Sequence, residues 1–256
     1  MTTYFERIDE QRFIATEAVQ GAWNTDEQHI APVLGLIAHV IERDRIARAG
    51  DGLRLSRISY DILGVLPIAE VEIAVRVLRP GRTIELVEAT LSHDGRPAVL
   101  ARAWFLAAGD TTQIAGSALP PFPADGFQPW DGSTVWPGAF IGEAQVDWIP
   151  DEPGRARFRV HPTVPLLADE PVSATARTLG FLDIANGISP RLRPEDAHYP
   201  NVDLTAHLFR EPSGAWIGYD TAVSFGPDGR GLTHTVLHDE HGPFGTSSQS
   251  LTVRPR

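Results

Sequence analysis

Residues 217–253 read IGYDTAVSFGPDGRGLTHTVLHDEHGPFGTSSQSLTV. Ile217, Tyr219, Thr221, Val223 and Phe225 recur at every second position, the period of a strand with one face buried. Gly226-Pro227-Asp228-Gly229 is turn chemistry, and Leu232 to Leu237 resumes as a strand. A hairpin at Asp239 to Gly242 then returns the chain through Phe244 to Val253. The same plan runs through residues 71–106, VEIAVRVLRPGRTIELVEATLSHDGRPAVLARAWFL. There Val71, Ile73, Val75 and Val77 face one way, with Glu70, Glu72 and Arg76 opposite. Arg79-Pro80-Gly81-Arg82 turns the chain, Ile84 to Leu91 follows, Asp94-Gly95 marks the hairpin, and Ala98 to Leu106 returns. Leu91 matches Leu237 and Pro97 matches Pro243, both 146 residues apart. A fixed offset of that kind is the mark of an internal duplication.

A helix precedes each meander. Ile30, Val33, Leu34, Ile37 and Val40 recur at spacings of three or four. Thr25 with Gln28 fits a capping box, and Pro32 is tolerated only if it sits in the first turn. An opening strand over Phe13 to Val19 and a turn at Gly21 to Asn24 come before it. In the second half, Phe140 to Ile149 and Ala156 to Val160 read as strands and Ser173 to Ile188 as a helix. Between the halves, Ala107 to Pro137 carries Pro120, Pro121, Pro123, Pro129 and Pro137 and is expected to be a linker. Its Phe122, Phe127, Trp130 and Trp136 are expected to hold it against the surface. The chain therefore divides into residues 1–106, a Pro/Gly-rich linker 107–137, and residues 138–256. One helix followed by one long meander, twice, predicts an α+β tandem (double) hot-dog: two long helices wrapped by a continuous antiparallel sheet. Pairing two such units covers the edge each would leave exposed.

Composition bounds the function. The 256 residues are 42% hydrophobic and 21% charged, enough for a core and too mixed for extended disorder. Cysteine is absent, which excludes disulfides, thiolate nucleophiles and Cys-based zinc sites. The net charge of −11 argues against nucleic acid, whose phosphates require a basic stripe. No apolar run approaches the roughly 20 residues of a membrane span. Residues Met1 to Arg12 lack the apolar stretch of a secretion signal, so a cytoplasmic location is expected.

The sequence resembles the thioesterase-II-like, double hot-dog acyl-CoA thioesterase superfamily, in an actinobacterial-type branch. The resemblance rests on Gly21-Ala22-Trp23-Asn24 through Gln28-His29-Ile30-Ala31-Pro32, and above all on Asn201-Val202-Asp203-Leu204-Thr205-Ala206-His207-Leu208-Phe209-Arg210-Glu211-Pro212. Gly231-Leu232 and Ser248-Gln249-Ser250-Leu251-Thr252-Val253-Arg254 extend it. It implies hydrolysis of acyl-CoA thioesters, with no cofactor and no metal. It also implies a water-activating set of three: an Asp on the second hot-dog helix, a Thr or Ser on a following strand, and a Gln on the last strand. These fall on Asp183, Asn201 and Gln249. Asn201 departs from the hydroxyl; an amide orients water by donating and accepting but does not relay a proton. The chemistry is consistent, because a thioester is reactive enough that one positioned carboxylate taking a proton from water suffices. By the 146-residue offset, Asp183 corresponds to Ile37 and Gln249 to Ala103, so one site per chain is expected, in the C-terminal half.

Other readings compete. A non-catalytic acyl-ligand binder of the same fold is favoured by Asn201 and by Ile30-Ala31, where relatives often carry glycines. An enoyl-CoA hydratase would need a carboxylate where Asn24 stands, five residues before His29. His238-Asp239-Glu240-His241 resembles a metal cluster but falls on a hairpin turn, where four neighbours splay apart. No nucleophile elbow, zinc-protease helix motif or phosphate loop occurs. Arg191, Arg193 and Arg210 are candidates for the CoA phosphates. Sheet edges left by paired hot-dogs point to a homo-oligomer.

Overall fold

The computed structural model describes residues 2–256. The first half contains strands β1 (Phe5–Arg7) and β2 (Arg12–Ala15), helix α1 (Ile30–Ala49), then β3 (Leu53–Ile62), β4 (Glu70–Arg79), β5 (Ile84–His93) and β6 (Arg96–Ala107). The second contains β7 (Gln128–Trp130), α2 (Ala139–Glu143), β8 (Gln145–Pro150), β9 (Arg155–His161), α3 (Ala174–Leu179) and α4 (Ala185–Ile188). It ends with β10 (Ala197–His198), β11 (Asp203–Leu208), β12 (Ile217–Phe225), β13 (Arg230–Asp239), β14 (Gly242–Thr252) and β15 (Arg254–Pro255). Thirteen strands form one antiparallel sheet in the order β1-β2-β4-β5-β6-β3-β11-β14-β13-β12-β9-β8-β7, and β10 pairs with β15.

The duplication is visible residue by residue. Strand β5 starts at 84 and ends at 93, and β13 starts at 230 and ends at 239, the same span 146 residues on. Each carries a register shift at the same place, after Leu91 in one and after Leu237 in the other. A bulge of this kind bends the sheet around its helix. The halves join where β3 pairs with β11, and there Ser59 faces Thr205, its own counterpart 146 positions later. A pseudo-two-fold axis therefore passes through that pair.

Helix α1 is buried along one continuous run from Ala31 to Ile41, so it is a core element enclosed by the sheet. The second helix departs from expectation. Instead of running from Ser173 to Ile188, it breaks into α3, a tight 3-10 turn at Leu182–Ile184, and α4. The fold thus has one long helix and one interrupted one. The break follows from packing. Gly35 of α1 and Gly180 meet so closely that a methyl group on Gly35 would stand 2.7 Å from the Gly180 Cα. At the break, the Tyr219 hydroxyl donates to the Phe181 carbonyl at 2.9 Å. A carbonyl bonded laterally is satisfied without a continuing helical turn.

Smaller departures have equally local causes. His29, not Thr25, caps α1; its Nδ1 accepts from the Ala31 N–H at 3.1 Å, while Gln28 Nε2 donates to the Pro67 carbonyl. Pro32 does lie in the first turn. Residues 17–19 form a 3-10 turn capped by Thr16 where a strand was expected, and α2 occupies the start of the expected strand over Phe140 to Ile149. Within 107–137, residues 128–130 form an edge strand, a position that tolerates Pro129. The same segment packs on the second half: Phe122 stacks on His238 at 4.7 Å, and the Arg159 guanidinium lies 3.9 Å from the Phe127 ring centre.

Candidate active site

The break in the second helix directs Asp183 inward. Sitting on the tight turn, Asp183 is only 6% exposed. Its Oδ1 accepts from Asn201 Nδ2 at 2.6 Å and from Gln249 Nε2 at 2.8 Å. Asn201 lies just before β11, bridged to Leu251 of β14, and its Nδ2 also donates to the Asp203 carbonyl at 3.1 Å. Gln249 projects from β14 into the interior and is 2% exposed. The three residues named from the sequence are therefore in mutual contact around one oxygen. No protein donor among the described residues reaches Asp183 Oδ2.

Burial dominates the electrostatics. Desolvation pushes the Asp183 carboxyl up to about 7, against the opposing pull of the two amide donors. A carboxyl poised there exchanges protons near neutral pH, the condition for general-base chemistry. Asp183 and Asn201 line a cavity of about 150 Å³ together with Trp23, His29, Leu66, Trp136 and Tyr199. Gln249 stands behind the carboxylate, outside this wall. The cavity draws on both halves: Trp23, His29, Ile30 and Leu66 come from the first, Asp183, Asn186, Tyr199 and Asn201 from the second. Its aromatic wall is tightly built, with Trp23 edge-on to Trp136 at 4.8 Å and to Tyr199 at 5.3 Å. The pseudo-symmetric positions in the first half are Ile37, Leu55 and Ala103, all buried and apolar, so the arrangement is not repeated there.

Of the other sequence candidates, Asn24 and His29 border the same cavity and the rest are committed elsewhere. Arg210 makes a two-pronged ion pair with Asp239 at 2.6 and 2.7 Å and donates to the Gly242 and Pro243 carbonyls. It is a lock on the β13–β14 hairpin and does not line the cavity. Asp239, the centre of the metal-like run, also accepts from Ser213 and from the His241 N–H; its neighbour His238 is buried against Phe122. Arg191 and Arg193 border a separate depression with Trp148 and Pro153. Asn24 Oδ1 accepts from the Asp26 N–H in a local turn. Tyr199 and Trp136 are among the cavity residues, with Leu66, Ile184 and Asn186, that sequence reasoning did not single out for the site. Trp136 sat in the Pro-rich segment, where its fixing bond, Nε1 to the Gly187 carbonyl at 3.1 Å, leaves no pattern in the sequence.

A curved antiparallel sheet around two helical segments, with a buried carboxylate at the junction of two repeats, defines a double hot-dog protein. The solved structures it resembles include a conserved hot-dog protein of unknown function from Alicyclobacillus acidocaldarius (TM-score 0.73, 12% identity, 97% of this chain and 95% of that one). An acyl-CoA thioesterase II, TesB2, from Mycobacterium marinum is similar (TM-score 0.68, 16% identity, 98% and 96% covered), as is a tesB protein from Mycobacterium avium subsp. paratuberculosis (0.68, 18%, 98% and 96%). At these identities the likeness concerns the fold. No curated protein matches the chain by sequence. Two family models do match: the acyl-CoA thioesterase N-terminal domain over residues 19–106 and the C-terminal domain over residues 116–253. The chain belongs to the acyl-CoA thioesterase family. It is a thioester hydrolase acting on acyl-CoA.

Proposed function

We propose that the chain hydrolyses its acyl-CoA with Asp183 as general base and a single site per chain. The observation that carries this reading is the Asp183 carboxylate, held through one oxygen by two amides and open through the other, beside an apolar cavity. Asn201 and Gln249 fix Oδ1 and leave Oδ2 to accept a proton from a water molecule. That water's oxygen attacks the thioester carbonyl carbon and an oxyanion forms. The C–S bond then breaks, and the departing CoA sulfur takes back the proton from Asp183 or from solvent. The Ile30 N–H at the start of α1 is left to contribute to oxyanion stabilisation, since helix N-termini favour negative charge. Asn201 serves here by holding the carboxylate, a role its amide performs without relaying a proton.

The acyl group fits the aromatic and aliphatic wall of Trp23, Leu66, Trp136 and Ile184. The hydratase alternative is disfavoured because Asn24 is folded onto its own turn and no carboxylate among the described residues pairs with His29. A Cys-free chain acting on acyl-CoA is consistent with a cytoplasmic enzyme, and no helix among the described residues is long and apolar enough to cross a membrane. The two ends of the sheet, β1 and β7, are three residues each. Such blunt edges are poor templates for strand pairing, so any homo-oligomer would use a sheet face or the loops. The test is steady-state release of free CoA from a panel of acyl-CoAs by wild type and D183N. Turnover by wild type and its loss in D183N are expected; a chain that binds acyl-CoA yet releases no CoA would be a binder.

A further inference from the structure

The cap of α1 has a chemical consequence. A backbone N–H can only donate, so the bond from Ala31 makes His29 Nδ1 an acceptor. The neutral imidazole then carries its single proton on Nε2. His29 Nε2 has no protein partner among the described residues, and His29 lines the same cavity as Asp183. The residue is held from several sides: its backbone N–H donates to the Val19 carbonyl at 2.6 Å, and Phe140 packs 4.6 Å from the ring centre. Meanwhile the helix start is short of donors of its own. Ala31 gives its N–H to the ring, Pro32 has none, and the Ile30 N–H has no acceptor among the described residues. Of the other side-chain donors around the cavity, Gln28 is spent on Pro67, Trp136 on Gly187, Asn186 on Tyr199, and Asn201 on Asp183 and Asp203. The buried Tyr199 hydroxyl has no partner among the described residues, but it is not fixed in direction by a helix cap as the His29 ring is. Trp23, 37% exposed, sits at the rim.

We propose that His29 is a catalytic hydrogen-bond donor, its Nε2–H acting with the Ile30 N–H on the carbonyl oxygen of the bound thioester and on the oxyanion that forms from it. This rests on the reading of Asp183 as the base. His29 is not itself a base: Nδ1 is occupied and Nε2 already holds its proton. Burial keeps the ring neutral, pushing its imidazolium down to about 3. Neutrality matters for its neighbour across the cavity, because an imidazolium would stabilise the Asp183 carboxylate and weaken it as a base. A donor fixed by the cap, by Phe140 and by the Val19 carbonyl is preorganised, so little reorganisation is needed as charge develops on oxygen.

The test uses variants that keep the cap and remove the donor. H29S and H29N both place a capping oxygen at the helix start, and neither side chain reaches as far as an imidazole Nε2. Loss of one oxyanion donor predicts a drop in kcat of about 100-fold, with KM changed only a few-fold. The second readout is the infrared carbonyl stretch of an acyl-CoA bound to D183N and to D183N/H29S. The stretch should lie at lower wavenumber in D183N and move up when His29 is removed, a shift that a merely structural cap would not produce. Wild-type kcat in both single variants, or an unmoved carbonyl stretch, overturns the assignment of His29. If D183N turns over normally, the general-base reading fails and this inference fails with it; if D183N is inactive while H29S and H29N are fully active, only the role of His29 is lost.

Discussion

Replacing Asp183 by Asn should make the protein more stable at pH 8 and be nearly neutral in effect at pH 4. Folding moves this carboxyl from an ordinary 3.8 up to about 7, so the folded state binds the proton more tightly than the unfolded chain. A folded pKa raised in this way contributes stability at low pH that is lost as pH rises towards 7. A rise from 3.8 to about 7 corresponds to roughly 4 kcal/mol at full ionisation. The amide introduced by D183N keeps an oxygen to accept from Asn201 and Gln249 and carries no charge to desolvate. The assay is urea denaturation of wild type and D183N at a series of pH values from 4 to 8. The stability difference should grow by a few kcal/mol in favour of D183N, most steeply between pH 4 and 7. A flat difference across that window would refute the claim that burial, and not the two amide bonds, controls this carboxyl.

Two further outcomes follow from the same geometry. N201A removes a donor that holds the Asp183 carboxylate ionised; the acidic limb of the kcat/KM profile should move to higher pH and kcat should fall by about 10-fold or more, as measured by CoA release. R210A strips the partner from Asp239, whose side chain is 1% exposed; the loss should be about 3–5 kcal/mol in denaturant unfolding, because an unpaired buried charge remains. The KM for acyl-CoA should be unaffected in R210A, whereas a phosphate-binding arginine would raise it.

Much of the sheet was legible because it is half-buried, and a half-buried strand must alternate. The 146-residue offset came from two hairpins whose turn chemistry and flanking residues repeat, and the pairing of Ser59 with Thr205 is its structural expression. Strand β3 escaped notice for a physical reason: the register shift between Leu55 and Arg57 changes the phase, so Leu53 and Leu55 face inward on one parity and Ile58 and Tyr60 on the other. The long helix expected over Ser173 to Ile188 has suitable local residues, but the crowding of Gly35 against Gly180 is a tertiary fact that local propensity does not contain. Edge strand β7 hid inside a Pro-rich segment because Pro is excluded from central strands and accepted at edges.

The site shows the same division. Asp183, Asn201 and Gln249 are spread over 66 residues, and no spacing rule brings them together; they were found through family resemblance, and only the fold explains their contact. The 3-10 turn that directs Asp183 inward is the same break that the sequence concealed. The role of His29 was hidden because the cap was assigned to Thr25. A histidine capping through Nδ1 has no signature stronger than its place just before a helix. Arg210 illustrates the reverse error: its proximity in sequence to Asn201 suggested a phosphate contact, while its planar fork was already matched to Asp239.

The most direct test of the central claim is the pH dependence of kcat/KM for CoA release in wild type and D183N. The account predicts that wild-type kcat/KM rises about tenfold per pH unit below a midpoint near 7 and levels above it, and that D183N loses about 1,000-fold on the plateau, a deficit that narrows as pH falls and wild-type Asp183 is itself protonated. Turnover in D183N equal to wild type, with the same profile, would contradict it.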